Sequence, residues 1–360
     1  MKLPPLKIGE LIARIPIIQG GMGVGVSLSK LASAVANEGG IGIISTAQIG
    51  FNEEDFATNA KEANKRALKN EIRRAKELSP KGIIGINIMV AMNNYEELTT
   101  VALEEGIDLI ISGAGLALDL PKIAKGFKTK LAPIVSSAKA AIVISKMWDR
   151  KNKCAADLIV VEGPEAGGHL GFSLESLLEK KAQDLKQIVK EVIEAIKPFE
   201  EKYNKKIPVV AAGGVYTGTD ISDLMKIGAA GVQMATRFVA TYECDASLAF
   251  KMAYINSKEE DIKIVKSPVG MPGRAINNNF MKVVEEKGCK VSKCYLCIKK
   301  CDPKTTPYCI TEALIQAVRG NLDNGLIFVG SNAYKVNKIV TVKELMTELV
   351  EEAEQNFSLL

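Results

Sequence analysis

The chain has 360 residues, of which 47 are basic and 42 acidic, so its formal charge is +5. Charges of both signs are spread along the chain and aromatic residues make up only 5%, so neither a basic nucleic-acid surface nor a base-stacking platform is indicated. The sequence has no run of 18 apolar residues and no apolar N-terminal stretch with a cleavage site, which predicts a cytoplasmic protein without a membrane span. Seven cysteines, two of them far from the other five, argue against a disulfide framework.

Eight short apolar runs follow one another along the first two thirds of the chain, and each ends in glycine or polar residues. They occupy residues 15–20, 41–45, 82–88, 107–112, 130–136, 157–163, 207–214 and 229–236. The runs are continuously apolar, as expected for parallel strands that are buried on both faces. Segments with helical spacing lie between them, over about 53–78, 94–105, 137–147, 185–196 and 219–228.

This alternation predicts an α/β protein with a (β/α)8 TIM barrel. A doubly wound open sheet is the alternative, because periodicity cannot show that a barrel closes. We expect Ser27 to cap the first helix and Gly39 to follow its end. In a barrel, the chemistry is expected at the C-terminal ends of the strands.

The loop after the sixth run, VVEGPEAGGHLGF (160–172), contains the only histidine of the chain, His169. An imidazole transfers protons near neutral pH, and glycines let the backbone approach a flat ligand closely. The loop therefore predicts an active site that uses His169. A structural histidine on a glycine-rich turn is the alternative.

Other strand ends indicate a phosphorylated cofactor. The seventh and eighth runs end in Gly213–Gly214 and Ala235–Thr236, which offer N–H groups and a hydroxyl where barrels commonly bind phosphate, although ordinary tight turns would look the same. The glycines at 20–23 leave room for a planar ring, and Asn87 offers a donor and acceptors to a ring edge, unless it serves the loop backbone. This combination suits FMN. A dinucleotide is not indicated, because no G-x-G-x-x-G opens a helix.

Six motifs resemble the nitronate monooxygenase family, formerly the 2-nitropropane dioxygenases, to which the flavin-containing enoyl-acyl-carrier-protein reductases are related. The motifs are PIIQGGMG (16–23), GINIM (85–89), ISGAG (111–115), VEGPEAGGHLG (161–171), VVAAGGV (209–215) and AAGVQMATRF (229–238). The likeness covers residues 1–240 and continues in MPGRAINNNF (271–280).

This resemblance implies a TIM barrel with a small extra segment, FMN as the cofactor, and the histidine of the GGH motif as the catalytic residue. Carried over to this chain, His169 becomes the catalytic base. The residues that the resemblance implies for FMN binding are Gly21, Met22, Asn87, Glu162, Gly167, Gly168, Gly213, Gly214, Gln233, Ala235 and Thr236.

The chain departs from the family pattern after Arg274, where five cysteines follow a C-x4-C-x2-C-x3-C-x7-C spacing. They are Cys289, Cys294, Cys297, Cys301 and Cys309. Thiolates at such spacing can bind zinc or an iron–sulfur cluster, but the spacing matches no standard site, so no metal is assigned. A helical hairpin with reduced thiols, followed by a helix over 311–318, is the alternative.

The predicted organisation is an FMN-binding barrel over 1–250 and a helical, cysteine-rich appendage over 251–360 that packs on it. The segment NGLIFVGSNA (324–333) is expected to return and cover the flavin, because its glycines and small residues allow a close approach.

The resemblance favours a nitronate monooxygenase that oxidises alkyl nitronates with O2. Reduction of an enoyl-acyl-carrier-protein thioester by NAD(P)H is the alternative, because the same flavin and imidazole serve both reactions. A non-catalytic flavin-binding regulatory module is the second alternative. The expected partner is a small-molecule substrate, and a homodimer is compatible with the sequence. Neither a nucleic acid nor a membrane is expected as a partner.

Overall fold

A closed barrel of eight parallel strands forms the centre of the molecule, for which a computed structural model describes residues 2–357. The strands are β3 (Ile17–Gln19), β4 (Ile41–Ser45), β5 (Ile83–Met89), β6 (Leu109–Gly113), β7 (Lys130–Val135), β8 (Ile159–Glu162), β10 (Val209–Ala212) and β11 (Gly231–Met234). They lie in chain order around the barrel, and β11 pairs with β3 to close it, with Val232 opposite Ile17. The predicted (β/α)8 barrel is confirmed, and the open sheet is wrong.

Helices surround the barrel and build most of the segment that follows its last strand. They are α1 (Ser29–Asn37), α2 (Phe56–Leu78), α3 (Tyr95–Glu104), α4 (Leu120–Ile123), α5 (Ala138–Asn152), α6 (Leu174–Leu178), α7 (Leu185–Tyr203), α8 (Gly218–Lys226), α9 (Thr236–Val239), α10 (Leu248–Ile255), α11 (Asn279–Lys287), α12 (Ile310–Arg319) and α13 (Val342–Phe357). Within residues 2–357, no helix has the length and apolar character needed to cross a membrane.

Branched apolar side chains fill the interior of the barrel, and an N-terminal hairpin closes one end. The hairpin pairs β1 (Leu6–Ile8) with β2 (Leu11–Ala13), and Leu6 and Ile8 are fully buried in the interior cluster. Its turn residue Glu10 forms a 2.7 Å ion pair with Lys130, the first residue of β7. The hairpin therefore covers the N-terminal strand ends and leaves the C-terminal ends for a ligand.

The N-terminus of α1 is capped by a distant residue, so the predicted Ser27 cap is wrong. A carboxylate oxygen of Asp245 accepts the N–H groups of Leu28 and Leu31 at 2.8 and 3.3 Å. The Ser27 hydroxyl instead accepts the N–H of Met22 at 2.8 Å and so fixes the loop after β3. Gly39 follows the end of α1 with φ +92°, as predicted.

The last helix, α13, packs against α8 and α1, in the outer ring next to β11. Glu352 on α13 accepts the N–H groups of Gly218 and Thr219, at 2.9 and 3.2 Å, and so satisfies the first turn of α8. The helix that completes the ring thus comes from the end of the chain. The division into domains at residue 250 stays a prediction.

Residues 288–309, which hold the five clustered cysteines, lie between α11 and α12 and contain no helix. The alternative of a helical hairpin over the cysteines is therefore wrong, while the helix predicted over 311–318 is confirmed as α12. A second sheet precedes this segment: β12 (Ile262–Lys266) pairs with β13 (Pro272–Ile276), and β13 pairs with β9 (Gly168–His169).

Candidate active site

A cavity of about 430 Å³ opens at the C-terminal ends of the barrel strands. Its volume is typical of small-molecule sites, and TIM barrels carry their active sites at this end. The structure brings every residue that the sequence nominated to this one cavity: Gly21, Met22, Asn87, Glu162, Gly167, Gly168, His169, Gly213, Gly214, Gln233, Ala235 and Thr236. Their individual roles remain predictions.

The loop that carries His169 is held in place by β13, a strand from a much later part of the sequence. Gly273 and Arg274 of β13 lie opposite His169 and Gly168 in an antiparallel ladder. The Arg274 guanidinium also donates to the carbonyls of Pro164 and Ala166. The ladder thus fixes the backbone at Gly168 and His169, and Arg274 fixes the turn that precedes them.

The imidazole of His169 is partly buried at the wall of the cavity. Its Nε2 lies 2.7 Å from the hydroxyl of Ser267, and its ring meets the edge of Phe328 with centroids 5.0 Å apart. Burial lowers the pKa of His169 to about 4, so the ring is uncharged at neutral pH. The Ser267 oxygen also accepts the N–H of Val269, at 3.3 Å, which anchors the serine.

Glu162, the last residue of β8, places a carboxyl group at the same cavity. Burial raises the pKa of Glu162 to about 8, so the protonated form dominates at neutral pH. A neutral carboxyl group donates a hydrogen bond as well as accepting one. Glu162 and His169 are therefore two titratable groups of the cavity that burial shifts toward the uncharged form.

The loop after β10 turns at Gly213 and Gly214, whose φ angles are +90° and +88°. Side chains rarely adopt such angles, so glycine is required at both positions. A Cβ atom on Gly214 would also lie 2.4 Å from a carboxylate oxygen of Glu165. Since β10 and β11 are neighbours, this turn lies beside the loop of Ala235 and Thr236.

Gln233, on β11, presents an unsatisfied acceptor. Its side-chain oxygen Oε1 is buried, and in the described part of the chain no donor reaches it. An unsatisfied buried polar atom costs about 1–3 kcal/mol, so native structures rarely keep one without a ligand or water. Because Gln233 lines the cavity, a ligand that donates to Oε1 would remove this cost.

The loop after β3 lies against Asn87 without any side chain between them. A Cβ atom on Gly21 would stand 2.3 Å from the Cβ of Asn87, so a larger residue at position 21 would displace the amide. The N–H of Met22 is engaged by Ser27. At the ends of β3 and β5, the wall of the cavity therefore consists of a glycine backbone packed directly on the side chain of Asn87.

Sequence reasoning assigned no site role to Ser267, and it considered Phe328 and Gly330 only as members of the segment 324–333. Phe328, Val329 and Gly330 line the cavity. The N–H of Val329 donates to Arg274, and Asn332 donates to the carbonyl of Gly214 at 2.8 Å. For Phe328, Val329 and Gly330, the sequence signal was the expectation that segment 324–333 returns to cover the flavin. Nothing in the sequence indicated a role for Ser267.

Within residues 2–357, no three or more histidine, cysteine, aspartate or glutamate side chains are arranged so that they could hold a metal ion. All seven cysteines are free thiols, and Cys294 is the exposed member of the clustered five. The histidine and carboxyl side chains that line the cavity are His169, Glu162 and Glu165.

The fold and the site define a TIM-barrel enzyme with a partly buried histidine at the C-terminal face of the barrel. The nitronate monooxygenase family model matches residues 5–352, so the chain belongs to the nitronate monooxygenase family. The chain is therefore an oxidoreductase, and the alternative of a non-catalytic module is set aside.

Similar proteins span almost the whole chain. A (3aS,4S,5R,7aS)-5-hydroxy-7a-methyl-1-oxo-octahydro-1H-indene-4-carboxyl-CoA dehydrogenase of Rhodococcus jostii is 26% identical, covering 94% of this chain and 92% of its own. A probable nitronate monooxygenase of Bacillus subtilis is 25% identical, with coverages of 94% and 95%. Among solved structures, FabK from Thermotoga maritima superposes with a TM-score of 0.72 at 25% identity, covering 95% and 93%.

Proposed function

We propose that the chain is an FMN-dependent oxidoreductase that oxidises alkyl nitronates with O2 at this cavity. The observation that carries the proposal is the partly buried imidazole of His169, which is uncharged at neutral pH and shares the cavity with the turn at Gly213 and Gly214. A proton carrier beside a turn that offers N–H groups to an anion suits a phosphorylated redox cofactor and a nitroalkane, whose acidic C–H bond the base would deprotonate to give the nitronate. Membership of the family supports the same assignment.

FMN fits the residues present. The N–H groups of Gly213 and Gly214 and the hydroxyl of Thr236 would hold its phosphate. The unsatisfied Oε1 of Gln233 would accept from an N–H or hydroxyl of the cofactor, and the bare edge at Gly21 would admit its flat ring. Bound FMN would supply the electron acceptor for the substrate and the reactivity toward O2.

His169 would act on the substrate through Nδ1, because Nε2 is engaged by Ser267. For Nδ1 to accept a proton, Nε2 must carry hydrogen and donate it to the Ser267 oxygen. That oxygen has two lone pairs, so it can accept from both His169 and Val269. Ser267 would thus select the tautomer of the imidazole, as a carboxylate does in other imidazole-dependent sites.

Glu162 would complement this base. In its protonated form it can donate a hydrogen bond to a carbonyl oxygen of the cofactor or an oxygen of the substrate. A carboxylate there would instead repel an anionic nitronate. Enclosure of the carboxyl group therefore favours anion binding in the cavity at neutral pH.

Reduction of an enoyl thioester by NAD(P)H is the second candidate, and the apolar part of the cavity favours it. This part is lined by Val24, Val26, Phe250, Leu314 and Leu326, which offer more apolar surface than a short nitroalkane needs. The Rhodococcus relative, which is named for a carboxyl-CoA substrate, is consistent with an acyl thioester as well.

Parallel assays separate the two candidates. The purified protein should be yellow and release FMN on heating. Oxygen uptake is measured with propyl-2-nitronate, and absorbance is followed with crotonyl thioester plus NAD(P)H. We expect nitronate-dependent uptake, and uptake with neutral 2-nitropropane that falls by about 100-fold or more in His169→Ala, the scale of lost acid–base catalysis, because only the nitroalkane has an α-proton to remove. Enoyl turnover without nitronate-dependent uptake would replace the first candidate by the second, and a colourless protein that cannot be loaded with FMN would contradict both.

A further inference from the structure

The segment 327–329 continues the second sheet beyond the histidine loop. β12 occupies one edge of β13, and the histidine loop occupies the other edge. The segment lies on this second edge, where Phe328 forms an antiparallel bridge with Ala275. Beside the bridge, the N–H of Ile276 donates to the carbonyl of Ile327 at 2.9 Å. The histidine loop and Phe328 therefore follow one another along a single edge of β13.

The ring of Phe328 lies directly against the imidazole of His169. The two ring centroids are 5.0 Å apart and the ring planes meet at 69°, which is a T-shaped pair. This contact depends on Gly273, the residue of β13 that lies opposite His169. A Cβ atom on Gly273 would stand 2.9 Å from Cε1 of the Phe328 ring, so a larger residue would push the ring away.

The backbone of Phe328 is also held from the side of the barrel. The hydroxyl of Tyr254, on α10, donates to the carbonyl of Phe328 at 2.6 Å. Tyr254 is buried and lines the cavity together with Phe250, whose ring lies 5.7 Å from its own. Phe328 is thus fixed by β13 on one side and by α10 on the other. An aromatic side chain on a fixed backbone has few rotamers to choose from.

Charged groups around His169 do not replace this contact. On β13, the Arg274 guanidinium donates to carbonyls of the histidine loop. Glu162, at the end of β8, and Glu165 line the cavity, and both lysines of β12 are exposed. Segment 327–329 carries no titratable side chain. Burial is what lowers the pKa of His169, so the contacts that exclude water from the ring matter more than these charges.

We propose that Phe328 is a positioning residue for His169, whose ring it shields from water and holds beside Ser267. The proposal rests on the proposed function, in which His169 is the base. A base must be uncharged to accept a proton, and water beside it would stabilise the imidazolium. Ser267 supplies the polar contact, at Nε2, and Phe328 supplies the apolar one. Together they leave Nδ1 for the substrate.

The test is a titration of the single histidine resonance in cofactor-free, full-length variants. The wild-type midpoint is expected near 4. In Phe328→Ala, water replaces the ring, so the midpoint should rise by at least about one unit toward the ordinary value. Phe328→Leu keeps an apolar cover and should stay within about half a unit of the wild type.

Phe280→Ala is the matched control. Phe280 is also buried and forms a T-shaped pair with Tyr308, at 5.4 Å, but it does not line the cavity. This variant should lose stability and keep the wild-type midpoint. Circular dichroism identifies variants that fail to fold. If Phe328→Ala is among them, Gly273→Ala decides, because it keeps the phenyl ring but displaces it, and its midpoint should also rise.

An unchanged midpoint in folded Phe328→Ala, or in Gly273→Ala where that variant decides, would overturn the proposal. An equal rise in Phe280→Ala or in Phe328→Leu would overturn it as well. With 2-nitropropane as substrate, the acidic limb of the pH profile of kcat/KM should move upward with the midpoint in Phe328→Ala. The titration needs neither cofactor nor substrate, so a chain without nitroalkane turnover would contradict the proposed function and leave the titration result standing.

Discussion

The Nε2 atom of His169 lies 2.7 Å from the hydroxyl of Ser267, a residue 98 positions further along the chain. Ser267 follows β12, and His169 belongs to β9, so the second sheet brings the two side chains together. The ladder between β13 and β9 fixes the backbone of the histidine loop, and Ser267 fixes its ring.

Ser267→Ala tests this relationship as a positioning effect. Without the serine oxygen, the imidazole loses control of its tautomer, and we expect kcat to fall by about tenfold to a hundredfold with a smaller change in KM, part of the ~10²–10⁴-fold that acid–base catalysis contributes. Ser267→Thr should recover most of the rate. Ser222→Ala, at a buried serine whose hydroxyl bonds within α8, is the control. Equal losses in both alanine variants would point to a general packing effect.

The pH dependence of His169 has a defined sign. Its pKa in the folded chain is about 4, below the ordinary 6.5, so the uncharged form that the proposed base role requires persists until the pH falls through about 4. An unfolded chain binds this proton with the ordinary pKa. The free energy of unfolding should therefore rise with pH between about 4 and 6.5, and His169→Gln should lose that contribution.

A direct titration checks this pKa. Because His169 is the only histidine, its proton resonance reports one site without assignment. We expect a midpoint near 4 in the cofactor-free protein. A midpoint near 6.5 would mean that burial does not lower the pKa of His169, and would contradict an uncharged imidazole held by its surroundings.

Gly214→Ala tests the turn after β10. The substitution strains a φ of +88° and crowds Glu165, so we expect FMN affinity to fall by at least about tenfold, or ~1.4 kcal/mol. Gly126→Ala is the matched control, because Gly126 has φ +92° and nothing within 4 Å of a Cβ atom there. The control should lose about 1 kcal/mol of stability and no FMN affinity. Isothermal titration of the cofactor-free variants gives the comparison.

Gln233→Leu should affect cofactor binding and stability in opposite directions. It removes a buried acceptor that has no donor, so the cofactor-free protein should be as stable as the wild type or more so, while FMN binding should lose about 1–3 kcal/mol. Gln19→Leu is the contrast, because Gln19 accepts the N–H of Ile43 at 3.0 Å and its loss leaves that donor unsatisfied. A large loss of apo stability in Gln233→Leu would mean that the amide is already satisfied.

The sequence indicated the barrel and the strand-end residues because both depend on local pattern. Continuous apolar runs mark buried parallel strands, and glycines such as Gly213 mark turns that need positive φ. The parts that were missed depend on pairing across long stretches of chain. Ser267 reaches His169 through a ladder, and Asp245 caps α1 from 217 residues away at Leu28. Neither leaves a periodic signal in one sequence.

The central claim is that a nitronate passes electrons to FMN held beside His169. The most direct test mixes the FMN-loaded protein with propyl-2-nitronate in the absence of oxygen and follows the flavin absorbance. We predict that the yellow colour is lost on mixing and returns when O2 is admitted, and that with neutral 2-nitropropane in place of the nitronate the loss is slowed by about 100-fold or more in His169→Ala. Flavin that stays oxidised with the nitronate, but is reduced by NAD(P)H and reoxidised by crotonyl thioester, would contradict the account.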